Sequence, residues 1–311
     1  MTQETNEAPY VTWRIPVGTP PWDRNIPTIY VDLFGAQIRL VKGKKYTTRV
    51  IEAGEGEPLI LIHGVGGQAE AYYRNIMRLA KDFHVCAIDA LFHGLSSKDS
   101  DIEDSTAAQV DHVLDFMDAM GFETAHIEGE SMGSFITFRL ALEHPDRVKR
   151  IVLNTGHQVN LKRTDFAPPW KSPESLAVLT KAAVGAPNER NVRMRMEWLM
   201  ATPDRVTDEL VALRLKAYEN PDARPNMSRL SIGTGHSKRF EEEDCKGIKA
   251  ETLVFWSEFN PGAGPDVGEY LAGLIPGAKF YNMKDASHWP QYEHPEEHDA
   301  VVTKFLKTGE V

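Results

Sequence analysis

Gly129-Glu130-Ser131-Met132-Gly133 sits where an apolar strand hands over to a helix. The stretch reads G-x-S-x-G. A serine on so sharp a turn is held in a strained backbone conformation, with its hydroxyl pushed clear of the sheet. Small residues on both sides let the chain fold that tightly. The helix that follows aims backbone N–H groups and its positive end at whatever the serine attacks. Such a pattern also arises by chance, so the flanking chain decides between a nucleophile and a coincidence.

Upstream, Leu59-Ile60-Leu61-Ile62 is a continuous apolar run, which fits a central strand buried on both faces. Strands are predicted over residues 37–41, 46–51, 59–62, 84–89, 124–128, 150–154, 252–256 and 278–283. Helices are predicted over residues 72–83 and 105–120, from the elbow to residue 143, and over 267–274 and 296–306. In the helix over 105–120, Val110, Val113, Leu114, Met117 and Met120 keep helical spacing. Strands alternating with helices imply an α/β fold, a mostly parallel sheet with helices on both faces. The alternation stops over residues 156–241, a helical, polar, proline-punctuated segment that reads as an inserted cap. The core is then residues 31–155 and 242–311. Residues 1–30 carry Pro9, Pro16, Pro20, Pro21 and Pro27 and read as an extended or partly disordered arm.

The chain has 311 residues, 41% hydrophobic and 26% charged, ordinary values for a globular enzyme with one large α/β core. A net charge of −10 argues against nucleic acid or an anionic membrane as the main partner. The two cysteines, Cys86 and Cys245, make no disulfide framework and no zinc spacing. The first ten residues lack the basic and apolar regions of a secretory signal, and no apolar run approaches the ~18 residues of a membrane span. A cytoplasmic protein acting on a small molecule is expected, with no cofactor and no metal. A homo-oligomer stays open.

A serine hydroxyl needs a base in hydrogen-bond reach, and the base needs an orienting group. In this architecture the base belongs on the loop after the last strand, where His288 lies in Asp285-Ala286-Ser287-His288-Trp289-Pro290. His294, just before Pro295, reads as structural. His63-Gly64-Val65-Gly66-Gly67 ends the first buried strand in a glycine-rich loop. It offers the Val65 N–H as one oxyanion donor, with the Met132 N–H, directly after the serine, as the other. Such a loop can also bind phosphate, but neither G-K-[ST] nor G-x-G-x-x-G is present. Trp289 is a candidate apolar wall of the pocket.

With these residues in place, the chain resembles the α/β-hydrolase superfamily and, within it, the meta-cleavage product hydrolases, which cleave carbon–carbon bonds in ring-fission products. The resemblance spans all but the N-terminal arm. It is carried by Glu52-Ala53-Gly54 before the His-Gly loop and Tyr72-Tyr73-Arg74-Asn75 after it. Leu140-Ala141-Leu142-Glu143-His144-Pro145 after the elbow, Val206-Thr207-Asp208-Glu209-Leu210 in the cap and His288-Trp289 add to it. It implies a 2-hydroxy-6-oxo-dienoate-type substrate, anionic and derived from an aromatic ring, whose carboxylate is held by Arg214 with Gly64 and Gly66 close to the substrate. A guanidinium can grip a carboxylate bidentately. Arg193, Arg195 and Arg205 lie in the same cap and offer the same chemistry.

Three positions depart from the family pattern. Its acid is expected on the turn after Trp256, where Trp256-Ser257-Glu258-Phe259-Asn260-Pro261 places Asn260. An asparagine carbonyl can hold the histidine tautomer but supplies no charge to an imidazolium. Asn260 as orienter, Glu258 or Asp266 in its stead, or an inactivated site are all open. Glu130 stands where the family carries asparagine, and Ala71 replaces a polar residue. These departures keep two further readings alive: an ester or lactone hydrolase, and a weakened binding protein on a hydrolase scaffold.

Overall fold

A computed structural model describes residues 28–98, 104–220 and 237–311. Nearly all of the proline-rich arm therefore lies outside the described residues. At its end Ile29–Asp32 forms a short helix (α1), started by the Thr28 hydroxyl accepting from the Val31 N–H.

The centre is an eight-stranded sheet. Its strands are β1 (Gln37–Lys42), β2 (Thr47–Ala53), β3 (Pro58–Ile62), β4 (His84–Ile88), β5 (Ala125–Glu130), β6 (Val148–Asn154), β9 (Glu251–Ser257) and β10 (Lys279–Met283), in the order β1-β2-β4-β3-β5-β6-β9-β10. β1 pairs antiparallel with β2 and β2 with β4; every other pairing is parallel. Alternate residues of one strand feed opposite cores. Leu59 and Leu61 pack in one cluster, Ile60 and Ile62 in the other. That explains the unbroken apolar run of β3: a strand covered on both faces has no polar side.

Helices α2 (Tyr73–Leu79) and α10 (Pro295–Thr308) cover the first face. Helices α3 (Ser105–Met120), α4 (Met132–Glu143) and α8 (Pro265–Leu274) cover the second. α3 is capped by Asp104, whose carboxylate accepts from the Ala107 N–H, and stops at Gly121 in the left-handed conformation.

Between β6 and β9 come α5 (Pro173–Gly185), α6 (Glu189–Leu199) and α7 (Asp208–Tyr218). The segment is not purely helical as expected. Its ends, β7 (Val159–Asn160) and β8 (Phe240–Glu241), pair in parallel as a separate two-stranded ribbon. β5 runs two residues past the expected 128, through Gly129 and Glu130, because β6 pairs with it up to Asn154. Among the described residues no helix is long and apolar enough to cross a membrane. Cys86 and Cys245 are buried and free, and burial pushes both thiols up.

Candidate active site

β5 ends on Glu130, and α4 begins at Met132, so Ser131 alone makes the turn. Its φ of 54° and ψ of −111° lie outside the ordinary regions for an L-residue. The glycines are required by contact. A Cβ on Gly129 would run into the Gly133 carbonyl, and one on Gly133 into the Ile62 carbonyl at the end of β3. The turn is pinned by Ser131 N–H donating to Asn154 O at 2.9 Å. Gly156, after β6, lies so close that a Cβ there would press on the Ser131 backbone. Among the described residues the Ser131 hydroxyl has no hydrogen-bond partner, so it is free to meet a ligand.

His288 follows β10 on a loop tied at several points. Its N–H donates to Leu199 O at 3.0 Å, the C-terminal end of α6, and its carbonyl accepts from Thr155 Oγ1 at 2.9 Å. A short helix, α9 (Pro290–Glu293), closes the loop. Its buried Glu293 carboxylate takes the Ser287 N–H at 2.6 Å, the Ala201 N–H at 2.9 Å and the Arg205 guanidinium at 2.6 Å. Arg205 is thus a strut between cap and loop. His294 starts α10 and bonds Asp285 O, a structural place.

The His288 ring meets two side chains. Nδ1 lies 2.7 Å from Asn260 Oδ1. Asn260 Nδ2 donates to Ala263 O at 3.0 Å, which fixes the amide with its oxygen toward the ring. Nδ1 therefore carries the proton and Nε2 the lone pair. Glu258 instead pairs with Lys284 and accepts from the Asp285 N–H. Asp266 accepts from the Ala167 N–H. Neither reaches the ring.

Nε2 lies 3.3 Å from Glu130 Oε1. Glu130 is 1% exposed, and its Oε2 accepts the Gly64 N–H at 2.6 Å. Burial pushes its carboxyl up to about 8, against the pull of the Gly64 N–H and of Arg214 and Arg195. Burial, then Arg195, lowers His288 to about 3. Burial thus favours the neutral form of both groups, with Glu130 Oε1 beside Nε2.

The loop after β3 is held by histidines. His63 accepts the Ala90 N–H at 3.0 Å through Nε2, and His93 Nε2 accepts the Gly66 N–H at 3.0 Å. Gly64 and Gly66 thus spend their N–H groups inside the protein rather than on a substrate. The Val65 and Met132 N–H groups have no partner among the described residues, which leaves both available to an oxyanion.

Two cap arginines reach the same loop. Arg214 on α7 donates to Gly66 O, beside the Tyr218 hydroxyl at 3.1 Å. Its guanidinium lies 5.4 Å from the ring centre of the buried Trp289. Arg195 on α6 donates to Val65 O at 3.0 Å and to Thr180 Oγ1 at 3.1 Å. Each is 2% exposed, and each keeps one buried nitrogen, Arg195 Nη1 and Arg214 Nη2, without a hydrogen bond. Among the described residues neither has a carboxylate partner within salt-bridge distance. Arg193, by contrast, pairs with Asp208 on the surface. Arg195 was legible in one respect: it falls on the buried face of α6 with Val192, Met196 and Leu199, where a charge has no structural reason to be.

One group among the described residues has metal-ligand geometry, Glu52, His84 and Cys86, with ligand atoms within 4.8 Å of one another. Glu52 is already engaged by the Arg39 guanidinium, and the cluster lies on β2 and β4, away from the elbow at the end of β5.

Residues 57–295 match the family model described as alpha/beta hydrolase fold. The chain is 31% identical over 266 residues to the 2-hydroxy-6-oxononadienedioate/2-hydroxy-6-oxononatrienedioate hydrolase of Comamonas testosteroni, covering 83% of this chain and 90% of that one. It is 28% identical over 267 residues to the 2-hydroxymuconate semialdehyde hydrolase of Pseudomonas putida, covering 84% and 91%. The solved meta-cleavage product hydrolase of Pseudomonas fluorescens IP01 superimposes with a TM-score of 0.74 at 26% identity, covering 88% of this chain and 98% of that one. The chain belongs to the alpha/beta hydrolase fold family and is a hydrolase.

Proposed function

We propose that this hydrolase cleaves a carbon–carbon bond in a 2-hydroxy-6-oxo-dienoate-type ring-fission product, with Ser131 and His288 at the reacting carbonyl. The observation that carries the reading is the Arg195–Arg214 pair. Two buried guanidiniums without a carboxylate partner are costly to keep, and an anionic substrate supplies the missing charge. Arg214 holds the substrate carboxylate, and Trp289 packs against its apolar part. The names of the relatives, hydrolases of such acids, support the same class of substrate.

The chemistry follows from charge. In the keto tautomer of such an acid, the carbon that must leave is conjugated to a second ketone, so it departs with its electron pair as a dienolate. His288 moves the protons: one from Ser131 or from water activated by it, and one to the departing carbon. The Val65 and Met132 N–H groups receive the oxyanion. Water is added across the broken bond, hydroxyl to the acyl carbon and hydrogen to the leaving carbon. Asn260 holds the ring.

A second reading, an ester or lactone hydrolase with the same machinery, is favoured by Glu130, a carboxyl where an anionic substrate head would lie. Turnover of ring-fission dienoates and of neutral aryl esters, with Ser131→Ala as control, separates the two. Dienoate cleavage lost in Ser131→Ala is expected; hydrolysis of esters alone rejects the carbon–carbon reading.

A further inference from the structure

Asn260 leaves the site one charge short. A histidine that takes a proton from Ser131 becomes an imidazolium, and in a buried pocket that cation needs an anion beside it. The amide of Asn260 fixes the Nδ1 proton at 2.7 Å but carries no charge. Arg195 makes the deficit worse, since its positive charge acts on the same ring. Among the described residues the one side-chain carboxyl within salt-bridge distance of the ring is Glu130, at 3.3 Å from Nε2.

We infer that Glu130 supplies the counter-charge that Asn260 cannot, so that the working site is Ser131–His288–Glu130 with Asn260 as the tautomer clamp. The inference rests on the Ser131–His288 reading above and adds a residue to it.

The geometry is that of a built position. Glu130 immediately precedes the nucleophile, and its carboxyl is clamped through Oε2 on the Gly64 N–H at 2.6 Å. Its Oε1 is buried, has no hydrogen bond among the described residues, and lies 3.3 Å from the imidazole Nε2. The groups acting on Glu130 are Glu128 on the same strand, Tyr72 at the start of α2, Arg195 on α6, Arg214 on α7 and His288 on its loop. The two arginines favour the carboxylate; Glu128 and burial favour the acid.

A switch follows. A protonated Glu130 brings no charge to the ring, and an imidazolium formed beside it stays uncompensated. Once Glu130 is ionised, the imidazolium that forms meets a carboxylate 3.3 Å from Nε2. In the attacking step the Ser131 O–H bond breaks and its proton goes to Nε2, the Oγ bond to the electrophile forms, and Glu130 keeps its charge unchanged. Activation of Ser131 therefore rises with pH through the ionisation of Glu130, at about 8.

A fluorophosphonate tests this without a known substrate: Oγ–P forms, P–F breaks, fluoride leaves, and the Ser131 proton passes through His288 to water. The labelling rate of the full chain is measured from about pH 6 to about pH 9. In the wild type it should climb across the range. In Glu130→Gln, which keeps the Gly64 hydrogen bond but no charge, it should fall by roughly 10²-fold at the alkaline end and lose the climb. Adding Asn260→Asp to Glu130→Gln restores a carboxylate on the other side of the ring and should recover at least about tenfold. Glu130→Asp, which keeps the charge, should label faster than Glu130→Gln.

A wild-type rate flat across the range overturns the inference without any variant. So does a Glu130→Gln rate equal to the wild type, or a loss that Asn260→Asp does not recover, since a merely structural role would not respond to a charge on the far side. Labelling that ignores Glu130 while dienoate turnover persists removes the inference and leaves the proposed function standing. Absence of labelling at any pH, with dienoate turnover unaffected by Ser131→Ala, removes both.

Discussion

Asn260 Oδ1 accepts the Nδ1 proton of His288 at 2.7 Å, and the amide cannot turn because its Nδ2 is committed to Ala263 O. One amide thus selects one histidine tautomer. Replacing Asn260 by alanine frees the ring to carry its proton on Nε2, the nitrogen that must accept from Ser131. Asn260→Ala is expected to lower kcat by ~10²-fold with KM little changed, because Asn260 acts on Nδ1, the ring nitrogen opposite the one that works on Ser131. Asn260→Asp is expected to retain activity. Steady-state kinetics of both variants against the wild type checks this, and an unaltered kcat in Asn260→Ala rejects Asn260 as the orienter.

The two cap arginines should divide binding from chemistry. Each offers a buried nitrogen with no partner beside the Gly64–Gly67 loop. A charged hydrogen bond is worth about 1.5–3 kcal/mol, so Arg214→Met should reduce kcat/KM for a carboxylate-bearing substrate by roughly 10- to 150-fold, mostly through KM. Neutral aryl esters should be hardly affected. Arg195→Met is expected to act in the same direction. Equal losses on charged and neutral substrates would mean that these arginines only brace the loop.

How much of this was legible depends on distance along the chain. The elbow could be read because its requirements are local: Gly129 and Gly133 are small since each faces a carbonyl within the same turn or from β3. The apolar run of β3 and the helical spacing of α3 are equally local patterns. The β7–β8 ribbon was not legible, since strands of two residues carry no period and their pairing depends on how the ends of a long insertion meet. Glu130 was singled out as a departure, but its contact with His288 bridges the end of β5 and a loop after the last strand. Only the folded sheet brings those together. Arg195 lay in between: its place on the apolar face of α6 was readable, but its target, Val65 O, was not.

A buried charge cluster braces the segment after β3, which begins with the loop that carries Val65. Arg49 on β2 pairs with Glu70 at 2.5 Å and with Asp89 at 3.2 Å, all three nearly or fully buried. Asp89 also takes the Ala69 and Leu95 N–H groups, each at 2.8 Å, which ties the segment after β3 to the one after β4. Arg49→Met strands two buried carboxylates and is expected to destabilise the fold by about 3–5 kcal/mol. Adding Glu70→Gln should recover part of the loss. Denaturant unfolding measures both, and a change below about 1 kcal/mol in Arg49→Met would show the cluster to be dispensable.

His298 should make stability fall as pH rises. Fully buried on α10, it lies between Glu128 Oε1 at 2.9 Å and Asp299 Oδ1 at 3.0 Å. Burial alone would lower it, but Glu128 and then Asp299 overcome that and hold it up to about 10. The folded value lies above that of the unfolded chain, near 6.5. The stabilisation is therefore complete below about pH 6.5 and is lost as pH climbs through about 10. The thermal midpoint is expected to drop between about pH 7 and about pH 10, and His298→Gln should lower the midpoint at neutral pH and flatten that drop. Melting curves followed by circular dichroism at several pH values decide it; an equal slope in wild type and variant would assign the alkaline loss elsewhere. The consequence reaches the elbow, because Glu128 stands two residues before Glu130 on β5. Removing the His298 cation leaves the effect of Glu128, which raises Glu130, without its offset, so Glu130 becomes harder to ionise. His298→Gln should thus also move the pH dependence of Ser131 labelling to more alkaline values, a shift that destabilisation of the fold alone does not produce.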